Sequence, residues 1–367
     1  MGKIPSHTII PVTCDVLVIG AGPAGSVASR LLSLAGIRVV LLDNVNITRQ
    51  KIGESLPGAA RPMLHRLGLI PWVEKSAPLT NSGNLSCWGG EQLTATDFIR
   101  DPYGCGWHLD RQRFDQNLRD AAEDAGALIV NARLSSLSET HDGMKAQVGE
   151  QTITANWVID ASGKSGTIAS TLGNSRLKDP PLFALYTWCS NGNVDTRSVV
   201  EAAPTGWWYT AGLPDGHRVV AFFTLPSEAK NMWREKQSFT SVLQSTTHVQ
   251  HWCPPELTSS SRLQIIDATA SYLHNVFGSR WIAVGDAALS LDPLSSQGIY
   301  NAIYTGLRGA EAVQAVLVNN DRSLLVQYGD RIASIRAAFR DEVSRYYQQE
   351  KRWVEKPFWK AHQSERL

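Results

Sequence analysis

Three glycines carry the most specific chemistry in this chain. Gly20, Gly22 and Gly25 stand in GxGxxG spacing, with Pro23 and Ala24 between the last two, and Asp43 closes the next apolar run. Each position has a physical reason. Gly20 permits a tight turn, Gly22 lets a pyrophosphate approach the backbone, and Gly25 lets a helix pack closely on its strand. The helix N-terminus offers unpaired N–H groups and a partial positive charge to phosphates. A carboxylate at Asp43 suits ribose hydroxyls and repels a 2′-phosphate, so the expected occupant is a dinucleotide other than NADP. Further along, Gly285-Asp286 ends an apolar run, and Gly298 opens a second helix with another anion-favouring terminus. Arg111 stands at a helix start, where the dipole disfavours a cation, so a partner anion is expected there.

The surrounding elements fit these roles. Residues 14–19 read as a buried parallel strand, 26–34 as a helix and 37–42 as a second buried strand, which together make one βαβ unit. A helix is expected from Asp110 to about Asp124, then strands at 128–131 and 151–160, the latter entering Ala161-Ser162-Gly163. Between 182 and 225 the pattern changes to short β-runs at 182–189, 198–203, 206–211 and 218–225, with turn residues such as Pro214-Asp215-Gly216-His217 between them, which predicts antiparallel hairpins. Residues 226–252 read as helical. The α/β pattern returns at 281–286, followed by a helix from Ile299 to about Leu317 and a long charged amphipathic helix over 322–352.

Composition bounds the rest. The chain has 367 residues, 43% hydrophobic and 19% charged, with 35 Lys plus Arg against 34 Asp plus Glu, a net of +1. That is a globular composition with no basic excess to support a nucleic-acid or anionic-membrane partner. The five cysteines include no CxxC, which argues against a disulfide framework or a zinc site and suits a reducing, cytoplasmic setting. No metal site is expected. No apolar run reaches the length of a membrane span. Val16–Ser29 is uncharged, but Asp15 precedes it and no basic region leads it, so it does not read as a signal peptide. Met1-Gly2 with Ser6 matches a permissive myristoylation pattern that carries little weight. The 12 tryptophans are unusually many and suit bulky core filling, an aromatic cavity for a flat ligand, or a sticky docking face.

Taken together, the opening GxGxxG unit, the Asp110-Arg111-x-x-Phe114 helix start and the late Gly285-Asp286 strand end resemble the p-hydroxybenzoate-hydroxylase type of FAD enzyme, in its tryptophan-halogenase-like branch. Gly53-Glu54-Ser55-Leu56-Pro57, Asp292-Pro293-Leu294-Ser295-Ser296-Gln297-Gly298 and the tail from Glu350-Lys351-Arg352-Trp353 to Phe358-Trp359 resemble the LodB-like (GoxB-like) flavoproteins within it. The likeness covers nearly the whole chain. It implies an α/β fold in which a Rossmann-type FAD-binding domain (10–80, 101–180 and 262–320) carries an inserted antiparallel β-sheet substrate domain (81–100 and 181–261), with a C-terminal helical tail (321–367).

That resemblance implies FAD as cofactor. Gly20, Gly22, Pro23, Ala24, Gly25 and Asp43 would hold its ADP half, Arg111 would reach it from the second helix, and Gly285-Asp286 would bond the ribityl chain. Backbone N–H groups of Gln297, Gly298 and Ile299 would face the N1/C2-carbonyl edge of the ring, where negative charge builds on reduction. Gly53 and Ser55 would lie beside the ring, with Glu54 open to a structural or a functional role. The segment Asp160-Ala161-Ser162-Gly163 departs from the hydroxylases' Asp-Gly form and suits the halogenase and reductase branches.

LodB-like proteins are implied to act on a partner: the precursor of an amine oxidase whose cysteine tryptophylquinone is made from its own Cys and Trp. The expected reaction is oxygen insertion into that Trp, with O₂ as co-substrate and NAD(P)H or another reductant as donor, since no second nucleotide fingerprint is present. Tryptophan halogenation is disfavoured. The Trp-x-Trp-x-Ile-Pro segment is missing, Ser295 stands where halogenases carry a catalytic Glu, and no lysine clearly matches theirs. A small-molecule aromatic hydroxylase, a reductase and a non-catalytic flavin-containing maturation protein are the other readings. No catalytic acid or base stands out; His65, His108, His217 and His251 are candidates by residue type alone.

Overall fold

The computed structural model describes residues 11–43, 51–190, 192, 194–253 and 262–364. The Met1-Gly2-Ser6 pattern lies outside them. Among the described residues no helix is long and apolar enough to cross a membrane.

Continuous apolar runs need cover on both faces, and the chain supplies it with a doubly covered sheet. The strands Thr13–Ile19, Val39–Asp43 and Leu128–Asn131 run parallel, and Thr13–Ile19 also pairs in parallel with Gln151–Asp160. The free edge of this last strand is divided. Its first half takes an antiparallel hairpin, Leu134–Thr140 with Gly143–Val148, and its last three residues take Trp281–Ala283 in parallel. Ile19, Asp43, Asp160 and Ala283 therefore end on the same edge, where ligands of open α/β sheets bind.

Two helices are locked at that edge. Pro23–Leu34 and Gly298–Asn319 pack so closely that a Cβ on Gly306 would strike the Ala24 carbonyl. Thr305 Oγ1 accepts from Gly285 N–H at 2.7 Å and donates to the Asn301 carbonyl at 2.7 Å, which ties the second helix to the Gly285 turn.

The second large sheet has the order 264–267, 183–190, 217–224, 206–212, 198–203, 83–87, 94–97. Its pairs are antiparallel except Ser198–Glu201 with Asn84–Cys87, which is parallel. Side chains alternate between the faces of a strand. Along 206–212, Trp208 turns to one face, against Phe222 and Phe239, while Trp207 and Tyr209 turn to the other with Val219, Ala221 and Phe223. The helix Ser323–Gln349 and the short helix Pro357–Gln363 cross toward this second face, where Tyr347, Phe358 and Trp359 join its core.

A small sheet joins Ser55–Leu56 and Leu79–Asn81 to Gly106–His108. His108 is fully buried. Burial first, then the Arg218 charge, lowers its pKa from 6.5 to about 4. The unfolded chain therefore takes a proton near pH 6.5 that the native state refuses until about pH 4, so stability falls as the pH drops through that window. The expected loss is on the order of 3 kcal/mol in total. Urea midpoints from pH 7 to 4.5 should show this slope in the native protein and a flatter one in His108→Leu; parallel curves would assign the acid sensitivity elsewhere.

Candidate functional site

The common edge of the parallel strands faces the aromatic side of the second sheet across a cleft of about 1630 Å³, counted to its open mouth. On one side stand Gly22, Pro23 and Ala24 of the first glycine turn, Gly53, Glu54 and Ser55, Arg111, Gly285 and Asp286, and Ser296 to Ile299. On the other stand Trp207, Tyr209, Val219, Ala221 and Phe223. Trp207 and Phe223 stack on each other with centroids 3.9 Å apart at 10°, part of a buried apolar wall.

Sequence explains the turn. Gly20 has φ +103°, where its missing Cβ avoids the Ala161 carbonyl. The Asp43 carboxylate reaches back to accept from Ala21 N–H at 3.2 Å. Asp160, fully buried, accepts from Ser162 N–H at 3.1 Å and Ile168 N–H at 2.8 Å and so shapes the neighbouring loop.

Charge is arranged around the cleft. Arg111 finds the anion its position requires in Asp115, at 3.1 Å, and donates to the Gly53 carbonyl at 2.8 Å. Burial pushes the Asp115 carboxyl up, but Arg111 and then Lys51, 2.8 Å away, prevail and hold it below its ordinary value. Burial raises the Asp286 carboxyl, against the opposing charges of Lys164, Arg111 and Arg176. Lys164 lines the cleft, donates to the Asp267 and Thr269 carbonyls at 3.1 and 3.0 Å, and has its pKa lowered by burial. Trp207 Nε1–H donates to Tyr347 Oη at 3.2 Å, and Tyr347 Oη–H donates to Asp292 at 3.3 Å, which links the aromatic wall to the segment before Gln297.

Residues 13–342 match the family described as FAD binding domain. The chain belongs to that family. It is also 30% identical over 356 residues to the FAD-dependent oxidoreductase LodB of Marinomonas mediterranea, covering 94% of this chain and 95% of that one. This flavoprotein is a LodB-like FAD-dependent oxidoreductase. Its fold is shared with the myxobacterial chondrochloren halogenase CndH (TM-score 0.88, 22% identity, 97% of this chain and 87% of that one). It is shared too with the peptidyl tryptophan dihydroxylase QhpG, described as essential for tryptophylquinone cofactor biogenesis (TM-score 0.80, 23% identity, 96% and 79%).

The cleft fits FAD on its own geometry. A Cβ built on Gly22 or Gly298 meets nothing within 4 Å, so both backbones stand open to a close ligand. Neither helix beginning at these residues has a side chain capping its N-terminus, which leaves first-turn N–H groups facing the cleft. Of the expected site residues, Gly22, Pro23, Ala24, Ser55, Arg111, Gly285, Asp286, Gln297, Gly298 and Ile299 line this cleft, while Gly20, Gly25 and Asp43 shape its turn from beneath. None of His65, His108, His217 and His251 lines it. Lys164 and Tyr209 also line the cleft, and no sequence motif marks either as a site residue. Lys164 adjoins the quoted Asp160–Gly163 segment, and Tyr209 follows two tryptophans on a strand whose alternation puts it on Trp207's face.

Proposed function

We propose that this flavoprotein hydroxylates a tryptophan side chain of a partner protein, the precursor of a quinone-cofactor amine oxidase, during cysteine tryptophylquinone biogenesis. The observation that carries the proposal is the apolar aromatic wall that includes Trp207, Tyr209 and Phe223 across one cleft from the two open glycine termini. It gives an indole-sized ring apolar cover opposite a flavin. The fold shared with QhpG, a peptidyl tryptophan dihydroxylase, supports a Trp carried on a polypeptide as substrate.

In this reading Gly20, Gly22, Pro23, Ala24, Gly25 and Asp43 hold the ADP half, and Ser55, Arg111, Gly285, Asp286, Gln297, Gly298 and Ile299 hold the rest. When bound, FAD would supply the redox and oxygen-activating chemistry, with NAD(P)H or another reductant as electron source and O₂ as oxygen source. The protein positions the ring. The first-turn N–H groups at Gly298 favour negative charge beside them. The apolar wall of Val219, Ala221 and Phe223 excludes water that would compete for the oxygen.

Halogenation is the reading favoured by the CndH fold. Against it, the turn before Gln297 presents a hydroxyl: Ser295 Oγ donates to the Asp292 carbonyl at 2.7 Å, with no carboxylate at that position. Incubating FAD-loaded protein with reductant, O₂, bromide and the precursor protein decides between them. A gain of oxygen mass on a precursor Trp is expected. A brominated Trp, an unchanged Trp, or protein that stays colourless with added FAD overturns the proposal.

A further inference from the structure

Glu54 is a buried carboxylic acid in the wall of the cleft, and neither the cofactor-holding residues nor the aromatic wall accounts for it. It is 3% exposed, in the segment that precedes the strand Ser55–Leu56. Tyr209 Oη–H donates to Glu54 Oε1 at 2.6 Å across the cleft, and Gly53 N–H donates to Oε2 at 2.9 Å. Tyr209 is half-buried and stands two residues beyond Trp207 on the same face of its strand, so one end of the pair touches the aromatic wall and the other the segment beside Ser55.

Hydroxylating an aromatic carbon leaves a proton to remove. One O₂, two electrons from an external two-electron reductant and two protons yield a hydroxylated ring and one water. A C–O bond forms, a ring C–H bond breaks, and that proton must leave a site built to exclude water. We propose that Glu54 takes this ring proton and passes it to the oxygen atom that leaves as water, and that Tyr209 is the positioning residue that aims its carboxylate. The inference rests on the hydroxylation reading above and adds to it the residue that closes the proton balance.

The groups that face the pair from every packed element are few. Arg111, at its helix start, faces Glu54, and the charge of Arg218, whose side chain lies on the opposite face of the neighbouring strand, acts on Tyr209. Burial raises the Glu54 carboxyl, with the Tyr209 hydrogen bond foremost among the opposing effects, then the backbone N–H groups and Arg111. Burial and then the Glu54 charge raise the Tyr209 hydroxyl, which leaves the shared proton on the tyrosine whenever Glu54 is ionised.

The test uses FAD-loaded full-length protein. Infrared titration of the carboxylic C=O band, without partner, is expected to show one band absent from Glu54→Gln, with a midpoint above the ordinary carboxylate range. Tyr209→Phe is expected to move that midpoint higher. In turnover with the precursor, Glu54→Gln should lose about 10²- to 10⁴-fold in Trp hydroxylation, with FAD affinity and the rate of flavin reduction unchanged. A band with an ordinary midpoint, or one unmoved by Tyr209→Phe, overturns the inference. So does a Glu54→Gln variant that hydroxylates at the native rate, or one that fails only because FAD is lost, which would make the pair structural. Native protein that leaves the precursor Trp unmodified overturns the hydroxylation reading itself, an outcome separate from active native protein with active Glu54→Gln.

Discussion

Gly22→Ala is expected to leave the thermal midpoint of the apoprotein in place while weakening FAD binding about 10- to 100-fold, the cost of about 1.5–3 kcal/mol for compromised charge-assisted hydrogen bonds. The separation follows from local geometry. Gly22 has φ −75° and ψ −175°, backbone that any residue adopts, and a Cβ there meets no protein atom within 4 Å. The added methyl therefore costs the empty fold nothing and occupies the space a pyrophosphate needs. Gly25 is the control. Its Cβ would collide with the Gly20 carbonyl, so Gly25→Ala should lower the apoprotein midpoint as well. Calorimetry of the apoproteins and flavin-fluorescence titrations read the two quantities independently. Equal FAD affinity in Gly22→Ala and native protein would place the cofactor away from this turn.

This turn was legible in the sequence because its determinants are local. Val16–Ile19 and Val39–Leu42 read as strands since a parallel sheet covered on both faces makes continuous apolar runs. The aromatic strand 206–212 was legible for the converse reason, its bulky β-favouring residues between turn signals. The hairpin strand Leu134–Thr140 was not. Its sequence, LSSLSET, is mostly exposed polar side chains at a sheet edge, with Leu137 its only fully buried residue, so no periodicity marks it. The helix Pro357–Gln363 falls within the expected helical tail 321–367, and Pro357 at its first position is its local start signal. The site divides in the same way. The glycines announce themselves by spacing, whereas Glu54 and Tyr209 meet across 155 residues of chain, a pairing set by how the second sheet docks. Glu54 could be noticed in its motif, but its partner could not.

Trp359→Ala is expected to destabilise the protein by about 3–5 kcal/mol, the range for deleting a fully buried large aromatic. The tail appears as an appendage in the sequence, but it closes the core of the second sheet. Trp359 has 0% exposure, packs edge-on against Trp88 at 5.5 Å and Phe358 at 5.2 Å, and donates Nε1–H to the Ala203 carbonyl at 3.0 Å. Removing it opens a cavity beside Tyr347, whose ring lies 6.2 Å away and whose hydroxyl joins Trp207 to Asp292. The damage should therefore reach the aromatic wall while sparing the glycine turn on the far side of the cleft. Urea midpoints measure the stability loss, and Trp359→Phe, which keeps a ring but loses the bond to Ala203, should fall between native and alanine. FAD affinity of the folded Trp359→Ala protein should change much less than in Gly22→Ala. A loss under about 1 kcal/mol would mean that the tail only rests on the sheet. A loss of FAD as large as that in Gly22→Ala would mean that the wall and the turn cannot be disturbed separately, because Tyr347 and Asp292 transmit the cavity to the helix start at Gly298.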